Sequence, residues 1–514
     1  SSSRCCKLKA IPFDPLAGNM TTLNVSIILA SGEQADLRVD VDSTVEHLIK
    51  LGGDYFGHPI ASLVNQRGEV LRLASTVDNA GVQDRDVLTA IMLKRTQIFS
   101  TCYAFAALKG NGSLVTWGHA EFGGDSSAVT KELENELLQV CSTNRAFAAL
   151  KTSGALVVWG HENSGGDFSA VAAHLQSDVL QVFSTDNAFA ALKSDGSLVT
   201  WGQAHSGGDS SEVAEQLRSE VQEIFATIDA FAALKSDGSV VTWGRAQGGG
   251  DSSAVAEQLQ GQVDKIFPNH QAFAAVKRNG SVVTWGHAEC GGDCSVVAEQ
   301  LRSDVQQVYS TDRAFAALKS NGSLVTWGRM EYGGDSSACA AQLQSDVQQV
   351  FSTSDAFAAL KSNGSLVTWH DERASGDSSE VAHLLQSDVQ QVFSTNIAFA
   401  ALKSDGSVVT WGGSGFGGDS EDVALQLQSD VHQVFSNLFA FAAVKRDGSV
   451  VTWGHADFGG DSSAVTDQLQ SEVHRVYSTS NAFAALKQNG SLVTWGSAEC
   501  GGDSSAVAEL LAPT

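Results

Sequence analysis

Ten aspartates, Asp125, Asp167, Asp209, Asp251, Asp293, Asp335, Asp377, Asp419, Asp461 and Asp503, recur every 42 residues, nine of them after Gly-Gly. Carboxylates in register invite a calcium site, but such a site needs about six to eight oxygen ligands and no second oxygen donor recurs beside them. Most precede Ser-Ser, at a point where a helix needs an N-cap, so capping is the expected role. Cys290 and Cys294 flank Gly-Gly-Asp and could hold a metal or a disulfide, yet no second pair completes a tetrahedral site. His119, His161, His287 and His455 share one repeat position, which is Gln203, Arg245, Arg329 or Ser497 elsewhere, so no ligand cluster follows. Asn-Gly-Ser at Asn111, Asn279, Asn321, Asn363 and Asn489 spells a glycosylation acceptor. Asn-Gly is also what a hairpin turn demands, and most other copies carry Asp there. Neither a phosphate loop nor a nucleophile elbow occurs. No catalytic residue, metal or cofactor is expected, and the chain is not expected to be an enzyme.

The elements that carry these residues follow from the period. Ala-Phe-Ala-Ala-(Leu/Val)-Lys begins at Ala104 and returns every 42 residues to Ala482, ten copies without insertion. The ten tryptophans keep the same register: Trp117, Trp159, Trp201, Trp243, Trp285, Trp327, Trp369, Trp411, Trp453 and Trp495. Self-similarity of this kind marks a repeat architecture. In one copy, Ile224-Phe225 predicts a first strand and Ala230–Lys235 a second. Asp237-Gly238 supplies the positive φ angles of a tight hairpin, and Val240–Trp243 returns as a third strand. Gly248–Gly250 breaks it, and Asp251 caps a short helix from Ser252 to about Leu259. Each unit is thus three strands and one helical segment, too small to fold alone and dependent on its neighbours.

A chain of 514 residues with 43% apolar and 18% charged residues can build packed cores. Its net charge of −26 opposes phosphate backbones, so nucleic acid is not an expected partner. The eight cysteines ignore the repeat and read mostly as free thiols, which points to a reducing intracellular compartment, the cytoplasm. No apolar run approaches the roughly 20 residues of a membrane span, so no membrane insertion is expected. Residues 1–19 carry Arg4, Lys7 and Lys9 without a sustained apolar stretch and are expected to be a leader or disordered tail, with Met20 a candidate start.

Residues 20–95 precede the repeats. Leu23, Val25, Ile27 and Leu29 alternate, Ser31-Gly32 turns the chain, and Leu37, Val39 and Val41 alternate again, predicting a hairpin. Ser43 and Glu46 form a capping-box pattern that opens a helix to about Leu51, with Gly52-Gly53 stopping it. Strands are predicted over Ile60–Val64, Val70–Leu73 (after a turn at Arg67-Gly68) and Val87–Leu93. This order resembles the ubiquitin-like β-grasp, and the stretch Gly81 to Leu88 is similar to that family's approach to its last strand. Ubiquitin ends in a free Gly-Gly tail, whereas Lys94-Arg95-Thr96 runs on into the repeats, so the resemblance implies an integral domain, not a modifier.

The run Phe-Ala-Ala-Leu-Lys-Ser-Asp-Gly-Ser-Leu-Val-Thr-Trp-Gly at 189–202 resembles the repeats of the regulator of chromosome condensation. It is equally similar to those of HERC-type ubiquitin ligases and bacterial β-lactamase-inhibitory propellers. The resemblance spans residues 97–514 and implies a mainly β, propeller-like array, usually of seven blades. Ten units depart from that number, so a ten-bladed ring, a seven-bladed ring with extra units and an open superhelix all stay open.

Two stretches vary between copies: the residues before Ala-Phe and those after Trp-Gly. Both are expected to be loops at strand ends, where a rigid scaffold presents its recognition residues. The aromatic and arginine residues there, Phe122, Arg329, Tyr332, Arg373, Phe416, Phe439 and Phe458, are the candidate partner-binding residues. The seventh copy, with His370 in place of glycine, diverges most. The expected function is a non-catalytic protein-binding scaffold. The family resemblance also implies a recognition component of a ubiquitin ligase, nucleotide exchange on a small GTPase, or an inhibitor role.

Overall fold

The structure, a computed structural model, describes residues 22–29, 34–56, 60–65, 71–72, 75–92, 96–109, 112–133, 137–369 and 376–511. The chain divides into two compact units, Ser1–Arg95 and Thr96–Thr514.

In the first unit, β1 (Thr22–Ile28) and β2 (Gln34–Asp40) form the expected antiparallel hairpin, followed by α1 (Val45–Phe56), β3 (Ile60–Val64) and β4 (Val87–Met92). The sheet order is β2-β1-β4-β3, with β4 parallel to β1 and antiparallel to β3. Val25, Ile27, Val39, Val45, Leu48, Leu63 and Leu88 make its core.

Three expectations for this unit need correcting. The helix does not stop at Gly52-Gly53 but continues to Phe56. Gly52 is buried on the face of Val45 and Leu48, so packing overrides the weak helix propensity of glycine. Thr44, rather than Ser43, caps α1: its Oγ1 accepts from the His47 N–H at 3.2 Å. Val70–Leu73 is not a strand where it is described; Leu71 only donates its N–H to the Leu63 carbonyl. The tail 1–19 and the turns at Ser31-Gly32 and Arg67-Gly68 lie outside the described residues.

In the second unit every copy builds one three-stranded antiparallel sheet. The fourth shows the pattern: Val221–Ala226, Ala230–Lys235 and Val240–Gly244 lie in sequence order, with a bulge between Val221 and Glu223. The hairpin closes through Gly238 N–H to Lys235 O and Lys235 N–H to Ser239 O. Only Gly238 (φ 80°) takes a positive φ there, so Asp237 is not the second left-handed residue expected. Its carboxylate instead accepts the Ser239 N–H at 2.8 Å.

The segment expected to be a short α-helix is 3-10, Ser253–Leu259 in this copy and only Ser211–Val213 in the third. Asp251 is not its N-cap: Ser252 holds that place, and the Asp251 carboxylate accepts the Ser253 N–H at 2.9 Å as an Asx turn. This bond holds the carboxyls of Asp125, Asp209, Asp251, Asp461 and Asp503 below their ordinary value of 3.8. A depressed carboxyl stabilises the fold fully above its ordinary pKa, and the contribution is lost as pH falls through the lowered value. The melting temperature is therefore expected to drop below about pH 4, and replacing these five by Asn, which keeps the acceptor, should flatten that acid slope. A slope unchanged by the five replacements would contradict the account.

Neighbouring sheets share their cores. Phe231 (0% exposed) and Trp243 (4%) pair across one sheet with ring centroids 5.1 Å apart. The Trp243 indole donates to the Gly207 carbonyl of the preceding copy at 3.0 Å. Nine tryptophans make this bond; the acceptor position for Trp411 falls outside the described residues. A Cβ on Gly249 (φ 97°) would stand 2.6 Å from Phe273 Cδ2 of the next copy, so only glycine fits. Each core cluster accordingly draws on two copies, as where Ala272 and Ala274 pack with Phe315 and Trp327.

The tenth copy contacts the first in the same way. Trp117 donates to the Gly501 carbonyl at 3.0 Å, and Ile98, Phe105 and Trp117 pack with Ala482, Ala484 and Cys500. Ser100 Oγ donates to the Ser478 carbonyl, continuing a hydroxyl relay in which Ser142 donates to Ser100 and Ser184 to Ser142. The array is thus a closed ring of ten three-stranded sheets. Neither the open superhelix nor a seven-bladed ring with extra units describes it.

Candidate binding rim

In the nine copies where both are described, the loop before the second strand and the loop after the third meet at one end of the sheet. Thr311 makes the joint in the sixth copy: buried, it accepts the Ala314 N–H at 3.0 Å and donates to the Tyr332 carbonyl at 2.8 Å. Asn269 and Asn437 take over this role in the fifth and ninth copies. Thr311→Asn is therefore expected to be nearly neutral, whereas Thr311→Val, which strands both partners, should cost about 1–3 kcal/mol in chemical denaturation. Equal effects of the two would contradict this role.

Adjacent copies are joined at the same level. The N–H of Cys102 donates to the Asn144 carbonyl, Asn144 to Asp186, Asp186 to Ile228, and the chain of bonds continues to Leu438 and Ser480. Ser164 and Ser206 reach Asn187 and Asp229 of the next copy at 3.0 and 2.9 Å. The described variable loops therefore form a hydrogen-bonded rim, in which the loops before the second strands are linked from the first copy to the tenth.

Six of the seven candidate residues stand on this rim, and Arg373, like His370, lies outside the described residues. Phe416, Phe439 and Phe458, from the eighth and ninth copies, form one cluster with centroids 5.2 and 4.7 Å apart, extended by His455 at 4.5 Å from Phe458. Leu438 beside it is 43% exposed. Phe122 sits apart, against Tyr103 at 5.1 Å and His119 at 4.2 Å, with the Arg145 guanidinium over its ring at 5.1 Å. Tyr332 lies between Arg313 and Arg329, at 5.1 and 5.7 Å, and Arg329 pairs with Glu331 at 3.1 Å.

Tyr103, Arg145, Arg313 and Leu438 complete these clusters and were not among the candidates. All four precede Ala-Phe or stand one residue earlier, so comparing that stretch by side-chain type would have found them.

Between the aromatic clusters the rim is acidic. His270 Nε2 lies 3.2 Å from Asp312 Oδ1, and Arg245 pairs with Asp229 at 3.3 Å. Burial pushes the Asp186 carboxyl up, helped by repulsion from Asp229 and opposed by His270 and Asn144. Burial likewise raises Asp312 against the pull of His270 and Arg313. Raised carboxyls stabilise at low pH and lose that contribution as pH rises, opposite to the Asx-turn aspartates.

Among the described residues, no group of three His, Cys, Asp or Glu side chains is arranged to hold a metal ion. Cys102, Cys141, Cys290, Cys294, Cys339 and Cys500 are free thiols. No described helix is long and apolar enough to cross a membrane.

No family model matches the chain, and no curated protein sequence matches it. Among solved structures, yeast RCC1 (Prp20), crystallised with Kap60, is 14% identical with a TM-score of 0.32, over 63% of this chain and 80% of that one. The computationally designed Ika8 protein is 13% identical at 0.27, over 62% and 96%. A design based on ubiquitin is 19% identical at 0.14, over 14% of this chain and 90% of that one. At TM-scores this low, the likenesses place the chain in no family.

Proposed function

We propose that the ring is a non-catalytic protein-binding scaffold that recognises its partner through the rim, with the cluster of Phe416, Phe439 and Phe458 as the anchor. The observation that carries this reading is the placement of the chain's least repetitive residues. The framework is nearly invariant from copy to copy, while aromatic and arginine side chains concentrate on one continuous edge. Half-buried aromatic side chains such as these are enriched in interfaces, and Leu438 beside them is exposed. The free cysteines favour a cytoplasmic setting.

The test is affinity capture with the full chain, identification of the retained protein and titration of the purified pair. Phe439→Ser with Phe458→Ser, two residues outside the buried core clusters, should weaken that pair at least tenfold, with the melting transition as the check that the ring stays folded. Saturable binding that ignores both substitutions, or the lack of any saturable partner, would refute the reading.

A second reading is a recognition component of a ubiquitin ligase. It is favoured by the first unit, whose hairpin, helix and parallel pairing of first and last strands suit a ubiquitin-like domain. The purified chain alone should then be inactive in ubiquitin transfer and should gain activity only with an added catalytic subunit.

A further inference from the structure

At four places a cleft opens between the 3-10 segments of one copy and the third strand of the next, and one of these clefts differs in chemistry. Between the fifth and sixth copies it encloses about 820 Å3 and is lined by Cys294, Val296, Trp327 and Met330 with Asp293 and Asp335. Val296 is 95% exposed and Met330 61%. Every other copy carries Ala, Glu or Asp at the position of Val296, and Ala, Glu or Ser at that of Met330. Cys294 replaces a serine found in eight of the other nine copies. Three apolar replacements in two copies thus converge on one cleft. In the equivalent cleft between the third and fourth copies, Glu212 and Ala246 occupy the two lip positions.

The charge around this lip is one-sided. Asp293 and Asp335 each use one carboxylate oxygen to accept a backbone N–H, at 2.8 Å in both cases, and keep the other free. Lys319, the cation of the lining, donates to the Gln300 carbonyl at 2.8 Å. Methionine adapts its shape to an incoming apolar side chain.

We propose that this cleft binds a short peptide segment of a protein partner, with an apolar anchor against Val296 and Met330 and basic residues beside Asp293 and Asp335. The site adjoins the Tyr332 rim cluster, with which Met330 shares a turn, lies in other copies than the Phe416, Phe439 and Phe458 anchor, and rests on the scaffold reading only in its choice of a protein partner. Its assay needs no rim partner, so failure of one does not decide the other.

The experiment uses the full chain and a fluorescent amidated peptide with central leucines between arginine pairs, read by anisotropy. Saturable binding is expected, weakened about tenfold by Met330→Ala or Val296→Glu and lost when serines replace the leucines. Because both side chains are exposed, these variants should melt as the parent does. Glu212→Val with Ala246→Met, which copies the lip into the other cleft, should raise the stoichiometry from one peptide to two. The proposal is overturned by no saturable binding, by equal binding of a glutamate-flanked peptide, or by indifference to Met330→Ala. It is overturned equally if sedimentation shows a dimer that Met330→Ala abolishes, since a second copy would then be the occupant.

Discussion

Phe315→Ala is expected to lower the unfolding free energy by about 3–5 kcal/mol, among the largest effects of any single substitution in the ring. Phe315 is fully buried, its ring stacks on Trp327 at 5.3 Å, and Gly291 of the preceding copy presses against it. The cavity left by Ala would be walled by buried residues of two copies, among them Ala272, Ala274, Val305 and Trp327, packed too closely to collapse fully around it. Because the Phe belongs to one copy and the glycine to its neighbour, the loss should appear in the unfolding of both. A denaturation midpoint within experimental error of the parent would show that these contacts do not hold the ring.

Removing the tenth copy, residues 473–514, is expected to have a still larger effect. It deprives Trp117 of its acceptor, the Gly501 carbonyl, and uncovers Phe105, both now 4% exposed or less. It also uncovers the opposite face of the ninth copy. Each large side chain returned to water costs about 1.5–3 kcal/mol, so two aromatics and the aliphatic residues around them amount to roughly 5 kcal/mol or more. The shortened array should show red-shifted tryptophan emission and self-associate through its two apolar ends. A monomer with unchanged emission would mean that the ends were never joined.

The strands were legible in the sequence because their determinants are local. The continuous apolar run Ala230–Leu234 and a turn-forming Asp237-Gly238 need no distant partner. The same locality explains the errors. An apolar residue after Asp-Ser-Ser suits an α-helix and a 3-10 turn alike, and the choice falls to packing, where Leu259 must reach the core at 2% exposure. Gly52-Gly53 reads as a stop until tertiary packing buries Gly52. Closure was illegible for a different reason. It depends on the wedge angle between sheets, set by contacts such as Gly249 against Phe273 between copies, not by any pattern within one copy.

The candidate site was partly legible. Residue type alone marked Phe416 and Phe439, but not that residues from different loops of successive copies meet at 5.2 Å. That follows from two bonds: the Asn396 N–H donates to the Leu438 carbonyl of the next copy, and Thr395 beside it donates to the Phe416 carbonyl, so the two loops are held together. Arg145 and Arg313 were overlooked because their partners, the rings of Phe122 and Tyr332, lie across a loop or in the neighbouring copy.

The central claim is that the tenth copy meets the first as any copy meets its neighbour. It is tested most directly by the distance between spin labels introduced at Glu121 and Glu499, equivalent exposed positions in the first and last copies. Labels at Glu289 and Glu331, in adjacent copies, serve as the ruler. The closed ring requires the two distance distributions to coincide. A 121–499 distance well beyond that of the 289–331 pair would contradict it.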